Sequence, residues 1–440
     1  MQATADSATN AAAFPLSARS WTAALPRSTR FWAKLAAAAG PGYLIAVGYM
    51  DPGNWATDIA GGSAFGFALL PVILISNFAA MFLQWLALRL GIATGRDLAQ
   101  HCRAEYSPAV ARSLWLTCEV AIIACDLAEV IGTAIALKLL FHLPLMLGVC
   151  LTAFDTLIVL ALQKFGFRYL EAFVMGLVAI IAACFIYELA VSHPDPGSML
   201  AAFAPTHMPF TPLAVYLALG IFGATVMPHN LYLHSAIAQS RSFGTSIPAK
   251  RETIRFSTID CFTALTFALL INAAILVTAA SAFHWSGHAG VQTIEDAYKL
   301  LTPTLGAAAA SVVFAVALLA AGQNSTLTGT MAGQIVMEGF LGLKMNACAR
   351  RFLTRGLAIL PALAVTALAG EGSTSKLLIF SQVVLSLQLG FAVIPLVSFT
   401  SNARLMGPLV NGRWVRRGGY ALGAAIVGVN AWLVLQSIGG

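Results

Sequence analysis

The chain has 440 residues, of which 59% are hydrophobic and only 10% are charged. Soluble domains typically carry about 25% charged residues, so this composition excludes a water-soluble globule. The formal net charge of +7 does not indicate nucleic-acid binding, because the basic residues lie in short segments between apolar stretches, where they set membrane orientation. The seven cysteines form no CxxC pair, so we predict neither a disulfide framework nor a zinc site.

The first 35 residues are rich in alanine, serine and threonine and lack an early apolar core. We therefore predict a disordered cytoplasmic tail at 1–35 rather than a cleaved signal peptide. About eleven apolar stretches follow, each close to the roughly 20 residues that a membrane-spanning helix needs. The predicted spans are 37–62, 66–90, 112–138, 145–163, 169–190, 213–240, 257–283, 307–340, 352–370, 376–400 and 418–438. This pattern predicts an all-α polytopic membrane protein.

The distribution of Lys and Arg predicts the orientation of these spans. With the N-terminus in the cytoplasm, 22 of the 25 Lys and Arg residues fall in cytoplasmic segments, and only Lys138, Lys299 and Lys376 fall outside. Cytoplasmic loops of membrane proteins carry an excess of Lys and Arg, so the bias supports both the span count and the direction. An odd number of spans then places the C-terminus outside.

Two of the predicted spans are interrupted near their middle. The first contains Asp51-Pro52-Gly53-Asn54 and the sixth contains Met227-Pro228-His229-Asn230. Proline lacks the N–H group and disfavours helical geometry in the residue before it, while Gly53 is expected to add conformational freedom. Two ordinary proline kinks are the simpler alternative.

The positions of the two interruptions predict an internal repeat. Spans one and six are five apart, which makes them equivalent members of two five-helix repeats, and because five is odd the second repeat is inverted in the membrane. We predict a first inverted repeat at 36–205, a second at 206–402 and helix 11 within 403–440. Broken helices at corresponding positions of inverted repeats indicate the central site of a transporter.

The residues at the two breaks are predicted to form a cage for one cation. Asp51 supplies a carboxylate, Asn54 an amide oxygen and Met227 a thioether. Unwinding also frees main-chain carbonyl groups, for which we predict those of Gly48 and Ala224, and lipid cannot satisfy them. Mg²⁺ and Ca²⁺ prefer oxygen ligands, whereas a thioether favours Mn²⁺, Fe²⁺ and later transition metals. Taken alone, Met227 would more often be a packing residue, but its place at the break favours the ligand interpretation.

These residues resemble motifs of the natural resistance-associated macrophage protein (Nramp) family of divalent-metal transporters, in particular its bacterial proton-coupled manganese members. The matching sequence segments are GPGYLIAVGYMDPGN at 40–54, GATVMPHNLYLHS at 223–235, GQNSTLTGTMAGQIVMEGFLG at 322–342 and SQVVLSLQL at 381–389. The pairing of DPGN with MPHN at this separation is highly specific, and the matches run from the first span to the tenth.

The resemblance implies an eleven-helix fold like that of amino acid–sodium symporters, with alternating access. It implies a metal-ligand set of three side chains and two carbonyl groups that contribute in some states, namely Asp51, Asn54, Met227, Gly48 and Ala224. Gln382 matches a family residue that joins the site when it occludes. One departure is visible, since the family usually reads QLPFA in span ten whereas this chain reads QLGFA, and Gly390 leaves the local helix geometry open.

Acidic residues in span three indicate a polar path toward the cytoplasm. Glu119, Asp126 and Glu129 are spaced seven and three residues apart, so they share one helical face. Acids within a bilayer do not face lipid, so we expect them to line a route for protons. The alternative is a static network of buried ion pairs.

Histidines and arginines are predicted to complete this route. His229 and His234 near the metal site can accept protons around neutral pH, although a packing role explains His234 equally well. The resemblance assigns proton-path roles to the positions of His229, Asp126 and Glu129 and to an arginine in span nine. Of the three arginines there, which are Arg350, Arg351 and Arg355, we choose Arg355. Three further acids receive no role: Asp58, Asp155 and Asp260.

Together these features favour import of Mn²⁺, Fe²⁺ and similar ions in symport with protons, in the inner membrane of a bacterium. The main alternative is an organic-substrate symporter, such as an amino acid carrier, on the same fold, although Asp51 and Met227 would crowd and charge its substrate site. A Mg²⁺-transporting branch of the family is disfavoured by Met227. An intramembrane metalloenzyme lacks support, since neither HExxH nor a Cys/His cluster is present. We predict no enzyme activity, no cofactor besides the transported ion, and no nucleic-acid or obligate protein partner.

Overall fold

The computed structural model describes residues 23–24, 30–155, 167–204, 209–287, 290–291, 293–343, 347–370 and 372–439. Regular secondary structure in these residues is helical, apart from one parallel pairing of two-residue strands. These strands are β1, Ala23–Ala24, and β2, Arg241–Ser242. The predicted all-α architecture is confirmed.

The helices of the first half are α1 (Phe31–Ala38), α2 (Pro41–Gly48), α3 (Pro52–Phe65), α4 (Leu70–Thr94), α5 (Leu98–Glu105), α6 (Pro108–Phe141), α7 (Leu145–Leu151), α8 (Phe167–Ser192) and α9 (Pro196–Ala201). Those of the second half are α10 (Pro212–Thr225), α11 (Pro228–Ile237), α12 (Ile247–Ala279), α13 (Ile294–Leu305), α14 (Ala310–Leu341), α15 (Ala347–Ala369), α16 (Gly372–Thr400), α17 (Ala403–Met406) and α18 (Arg413–Gly439).

Helix α1 begins inside the segment that was predicted to be a disordered tail. The ring of Phe31 packs on that of Phe256 with centroids 5.3 Å apart, and Lys34 pairs with Glu252. These contacts fix the end of the segment against α12. Residues 1–22 and 25–29 of the predicted tail lie outside the described residues.

Nine helical stretches among the described residues are long and apolar enough to cross a bilayer. One of them, 52–94, contains the second half of predicted span one together with span two. Spans three and five to eleven each match one of the other eight stretches. Span four corresponds to the shorter apolar stretch Leu145–Phe154, and its residues 156–163 lie outside the described part of the chain.

Both predicted interruptions are confirmed, and each ends at a proline that starts the next helix. The first span stops at Gly48 and resumes at Pro52, while the sixth stops at Thr225 and resumes at Pro228. Proline is favoured at the first position of a helix, where its missing N–H is not needed and its fixed φ is already helical. The two spans are therefore pairs of half-helices that meet inside the protein.

Gly53 makes room for a neighbouring side chain and does not add the backbone freedom that was predicted. It lies in the first turn of α3 and is not among the glycines with positive φ, so it supplies no unusual backbone conformation. A Cβ at this position would lie 1.9 Å from Nε2 of Gln382. Glycine at this position therefore leaves room for the side-chain amide of Gln382 from span ten.

Gly390 does not disturb span ten. Helix α16 runs without interruption from Gly372 to Thr400, and the residue at 390 retains the backbone N–H that proline would lack. A Cβ at Gly390 would lie 2.8 Å from Cγ2 of Val427 in α18. The glycine therefore allows the last span to pack closely against span ten.

Close helix contacts hold the half-helices of span six in place. A Cβ at Gly91 of α4 would lie 1.9 Å from the carbonyl oxygen of Ser235 in α11, and one at Gly223 of α10 would lie 2.2 Å from the carbonyl oxygen of Gln382. Small residues allow helix backbones in membranes to approach each other in this way. The positions of both half-helices thus depend on backbone-to-backbone contact.

We predict that Gly91→Ala lowers the free energy of unfolding by about 1–3 kcal/mol, because the added methyl group overpacks a rigid backbone contact. Thermal unfolding in detergent micelles measures the effect as a lower midpoint. Gly176→Ala in α8 is the matched control, since its Cβ would meet nothing within 4 Å. Equal midpoints for the two variants would contradict the importance of the contact between α4 and α11.

Candidate metal site

The first break places a buried carboxylate among amide groups. Asp51 is fully buried and accepts hydrogen bonds from the backbone N–H groups of Gly53 at 3.2 Å and Asn54 at 3.0 Å. The side chain of Asn54 donates from Nδ2 to Oδ1 of Asp51 at 2.6 Å and to the carbonyl oxygen of Ala224 at 3.2 Å. Ala224 lies in the last turn of α10, where carbonyl groups lack partners within the helix. Asn54 therefore links the carboxylate of one break to a main-chain carbonyl of the other.

The second break places a buried thioether beside the first. Sδ of Met227 accepts a hydrogen bond from Nδ2 of Asn230 at 3.6 Å and lies 3.4 Å from the position that a Cβ would occupy at Gly48. Gly48 is the last residue of α2, so the sulfur adjoins the end of the first half of span one. The side chain of Met227 also packs with Cys125 and Leu385, so a packing role and a metal-binding role are compatible with the same position.

Gln382 brings span ten to the same place. The position that a Cβ would occupy at Gly53 lies 1.9 Å from Nε2 of Gln382 and 2.9 Å from Oδ2 of Asp51, so the two side chains are close to each other. Nε2 donates to Oγ of Ser381 at 2.9 Å, and no donor in the described part of the chain reaches Oε1. The structure thus gathers the six residues predicted for the metal site around the two breaks: Gly48, Asp51, Asn54, Ala224, Met227 and Gln382.

The donor set of this candidate site is chemically mixed. Among the described residues, no group of three or more His, Cys, Asp and Glu side chains is arranged to hold a metal ion. The breaks instead offer one carboxylate together with amide, thioether and carbonyl groups. Such a set combines hard and soft ligands and suits transition metals better than Mg²⁺ or Ca²⁺.

Asn272 is a further polar group at the breaks that the sequence analysis missed. It lies in α12, is buried, and donates from Nδ2 to the carbonyl oxygen of Tyr49 at 2.8 Å and to Oδ1 of Asn54 at 3.4 Å. It therefore satisfies a main-chain carbonyl that the break exposes. An asparagine within the apolar stretch FTALTFALLINAAILVTAA was the available signal.

The two predicted histidines occupy different surroundings. His229 lies in the first turn of α11, is buried, and its Nδ1 has no hydrogen-bond partner within the described ranges. His234 lies one turn further on and its Nδ1 is hydrogen-bonded to Oε1 of Gln84 at 2.9 Å. Nε2 of Gln84 donates in turn to the hydroxyl of Tyr49 at 2.8 Å. His234 is thus connected to the first break through a chain of hydrogen bonds.

Charged side chains of α6 and α15 form a buried network. The three predicted acids of α6 all face arginines of α15. The ion pairs are Glu119 with Arg350 at 2.8 Å, Asp126 with Arg351 at 2.6 Å, and Glu129 with Arg351 at 3.5 Å and with Arg355 at 3.3 Å. Residues spaced seven and three apart lie on one face of a helix, which is why one neighbouring helix contacts them all.

Arg355 is only one part of this network. Arg351 contacts both Asp126 and Glu129, and the role predicted for Arg355 in the proton path stays a prediction. Arg355 also pairs at 3.3 Å with Asp155, an acid to which no role was assigned. We use the name charged network for these four acids and three arginines: Glu119, Asp126, Glu129, Asp155, Arg350, Arg351 and Arg355.

The formal charges of the charged network do not cancel. Four carboxylates face three guanidinium groups, which leaves an excess of one negative charge. Oγ of Ser325 donates to Oε1 of Glu129 at 2.8 Å and satisfies part of that carboxylate. Unbalanced charge in a low-dielectric interior is unfavourable, so the arrangement favours binding of one further positive charge.

Two other buried acids were left without a role. Asp260 of α12 accepts hydrogen bonds from the backbone N–H groups of Gly40 at 3.2 Å and Gly42 at 2.6 Å. It thereby caps the N-terminus of α2 and ties the first half of span one to the second repeat. Asp58 of α3 is buried, and neither of its carboxylate oxygens has a hydrogen-bond partner in the residues that the structure covers.

Known proteins resemble this chain over nearly its whole length. The chain is 57% identical over 417 residues to the divalent metal cation transporter MntH of Nostoc sp., covering 94% of each chain. It is 56% identical over 416 residues to the protein of the same name from Bradyrhizobium diazoefficiens, covering 94% of this chain and 92% of the relative.

Solved structures share the fold. The crystal structure of the Eremococcus coleocola manganese transporter matches with a TM-score of 0.87 at 38% identity, over 95% of this chain and 90% of that one. Mhp1, a nucleobase-cation-symport-1 family transporter, matches with a TM-score of 0.62 at 13% identity, over 90% of this chain and 91% of that one, which shows the fold alone.

The sequence model of the natural resistance-associated macrophage protein-like family matches residues 42–436. This range contains both breaks and the charged network, and it agrees with the extent of the curated relatives. The chain therefore belongs to the Nramp family.

Proposed function

We propose that the protein imports Mn²⁺, and also Fe²⁺ and similar divalent ions, in symport with protons by alternating access. The observation that carries the proposal is the meeting of Asp51, Asn54, Ala224 and Met227 where two spans are broken inside the protein. The relatives named as divalent metal cation and manganese transporters support it. The metal is the cargo, so the proposal needs no resident cofactor and no further protein partner.

The charged network supports the proton part of the proposal. It consists of acids and arginines on α6 and α15 together with Asp155 and has one excess negative charge, so a proton carried by one of its acids neutralises it. His229, two residues after Met227, adds a titratable group at the second break. Protons and metal ions would thus use neighbouring but separate groups.

Alternating access requires contacts that break when one side opens. At the N-terminal end of α2, Asp260 holds the backbone of Gly40 and Gly42, and Lys34 pairs with Glu252. We assign this end to the cytoplasm, with the N-terminus inside and the C-terminus outside a bacterial inner membrane. Inward movement of a cation is favoured by the membrane potential, by about 2.3 kcal/mol per charge per 100 mV.

The rival functions fit the site less well. The protein is not an enzyme, since the family to which it belongs consists of membrane transporters. An organic-substrate symporter shares the fold, as Mhp1 illustrates, but Asp51 and Met227 would crowd and charge a substrate site at the breaks. A Mg²⁺ transporter would gain nothing from a thioether at the break.

Asp51→Ala is expected to reduce Mn²⁺ uptake in proteoliposomes to the level of protein-free liposomes, because the only carboxylate of the proposed cage is removed. Asp296→Ala, an exposed acid of α13, is the control and should retain uptake. Normal uptake by the Asp51 variant would refute the site.

Met227→Ala is expected to keep Mn²⁺ transport but to admit Ca²⁺ or Mg²⁺, because the ligand that disfavours hard cations is removed. Competition of Mn²⁺ uptake by excess Ca²⁺ or Mg²⁺ measures the change. Met81→Ala, which also removes a buried methionine but in α4, should leave selectivity unaltered. If Met227→Ala behaves like Met81→Ala, Met227 is a packing residue.

Asp126→Asn or Glu129→Gln is expected to weaken metal-driven acidification more than metal uptake, because each removes a proton acceptor while leaving the proposed ligands. A pH dye inside the liposomes and metal uptake, measured on the same preparation, give the ratio. Glu295→Gln, which alters the ion pair with Lys138 away from this network, is the control. Equal losses of both activities would identify the network as structural.

A further inference from the structure

The two breaks are built on one local pattern. In Asp51-Pro52-Gly53-Asn54 and in Met227-Pro228-His229-Asn230, a ligand-type residue precedes the proline that starts a helix, and an asparagine follows three residues later. Nδ2 of Asn54 donates to Oδ1 of Asp51 at 2.6 Å, and Nδ2 of Asn230 donates to Sδ of Met227 at 3.6 Å. Each asparagine thus holds the side chain that caps or precedes its own helix.

Each asparagine also reaches the opposite break. Nδ2 of Asn54 lies 3.2 Å from the carbonyl oxygen of Ala224, three residues before Met227. Nδ2 of Asn230 lies 2.3 Å from the position of a Cβ at Gly48, three residues before Asp51. The two asparagines therefore lie in corresponding places, each beside the end of the half-helix that precedes the opposite break. Asn54 was predicted from sequence and Asn230 was not.

The chemistry of Met227 explains why a partner is useful. A methionine side chain has three rotatable bonds and adapts to irregular surroundings, so it does not by itself present sulfur in one direction. A donor on one side of the thioether limits that freedom. Asn230 is fully buried, and its Nδ2 lies against the sulfur at 3.6 Å, so it is placed to supply such a donor.

We propose that Asn230 is the counterpart of Asn54 in the second repeat, a positioning residue that orients the thioether of Met227 and thereby sets the preference for transition metals over Ca²⁺ and Mg²⁺. The inference rests on the proposed function. It assigns the selectivity of the site to a pair of residues rather than to the sulfur alone.

The test is a double-mutant cycle on Asn230 and Met227 in proteoliposomes, with KM and maximal rate measured for Mn²⁺ and for Ca²⁺. Asn230→Ala is expected to raise the KM for Mn²⁺ by about three- to tenfold, the effect of one lost hydrogen bond, with a smaller change in maximal rate. Ca²⁺ uptake should rise relative to Mn²⁺ uptake, as in Met227→Ala. Because Asn230 acts through Met227, the double variant should match Met227→Ala alone.

Controls separate this role from general destabilisation. Asn77→Ala removes another buried asparagine that donates to a main-chain carbonyl, that of Leu265, and should leave the ratio of Mn²⁺ to Ca²⁺ uptake unchanged. Asn230→Leu keeps nearly the shape of the side chain and removes the donor without adding a charged ligand, so it should also favour Ca²⁺. This variant keeps the test decisive if Asn230→Ala does not fold.

Two results would overturn the inference. One is an unaltered ratio of Mn²⁺ to Ca²⁺ uptake in both Asn230 variants. The other is a double variant whose effect is the product of the two single effects, which would show that Asn230 acts independently of Met227. Asp51→Ala is measured in parallel, since its full activity would reject the metal site itself, whereas its loss of activity together with either result rejects the role of Asn230 alone.

Discussion

The need to satisfy backbone polar groups away from water governs this structure. A span that stops at Gly48 or Thr225 leaves carbonyl groups without helical partners, and a second half that starts at Pro52 or Pro228 leaves N–H groups without acceptors. Side chains of the first broken span and of α12 meet part of these demands, namely those of Asp51, Asn54 and Asn272. The carboxylate and amides that satisfy the backbone are also among the ligand types of the metal site that we propose.

Much of the architecture could be predicted from the sequence because lipid imposes simple rules. Apolar stretches of sufficient length, the prolines at 52 and 228, and the five-span interval between them led to the broken repeats that the structure confirms. The end of the tail could not be predicted in this way. Its order depends on contacts of Phe31 and Lys34 with residues more than 200 positions away in the sequence, and the local composition does not indicate these contacts.

The candidate site was only partly predictable for a related reason. Asp51 and Met227 can be recognised from their neighbours in the sequence, because they belong to motifs. Asn272 reaches the breaks, and Asp155 reaches the charged network, from parts of the chain that are far away in sequence. Helical periodicity also could not predict the partners of the adjacent arginines. Arg350 and Arg351 point in different directions from one turn and pair with different acids. Spacing showed that the acids share a face, but only the packing of α6 against α15 shows which arginine each one meets.

The cap that Asp260 forms on the N-terminus of α2 implies that water takes part when this end of the protein opens. Its carboxylate and the N–H groups of Gly40 and Gly42 belong to different repeats, so separating the repeats leaves both sides of the bond unpaired. Such groups remain costly until water hydrogen-bonds to them. Under the proposed alternating access, hydration of this end is therefore part of the conformational equilibrium. An excluded osmolyte that lowers water activity shifts the population toward the form in which Asp260 caps α2.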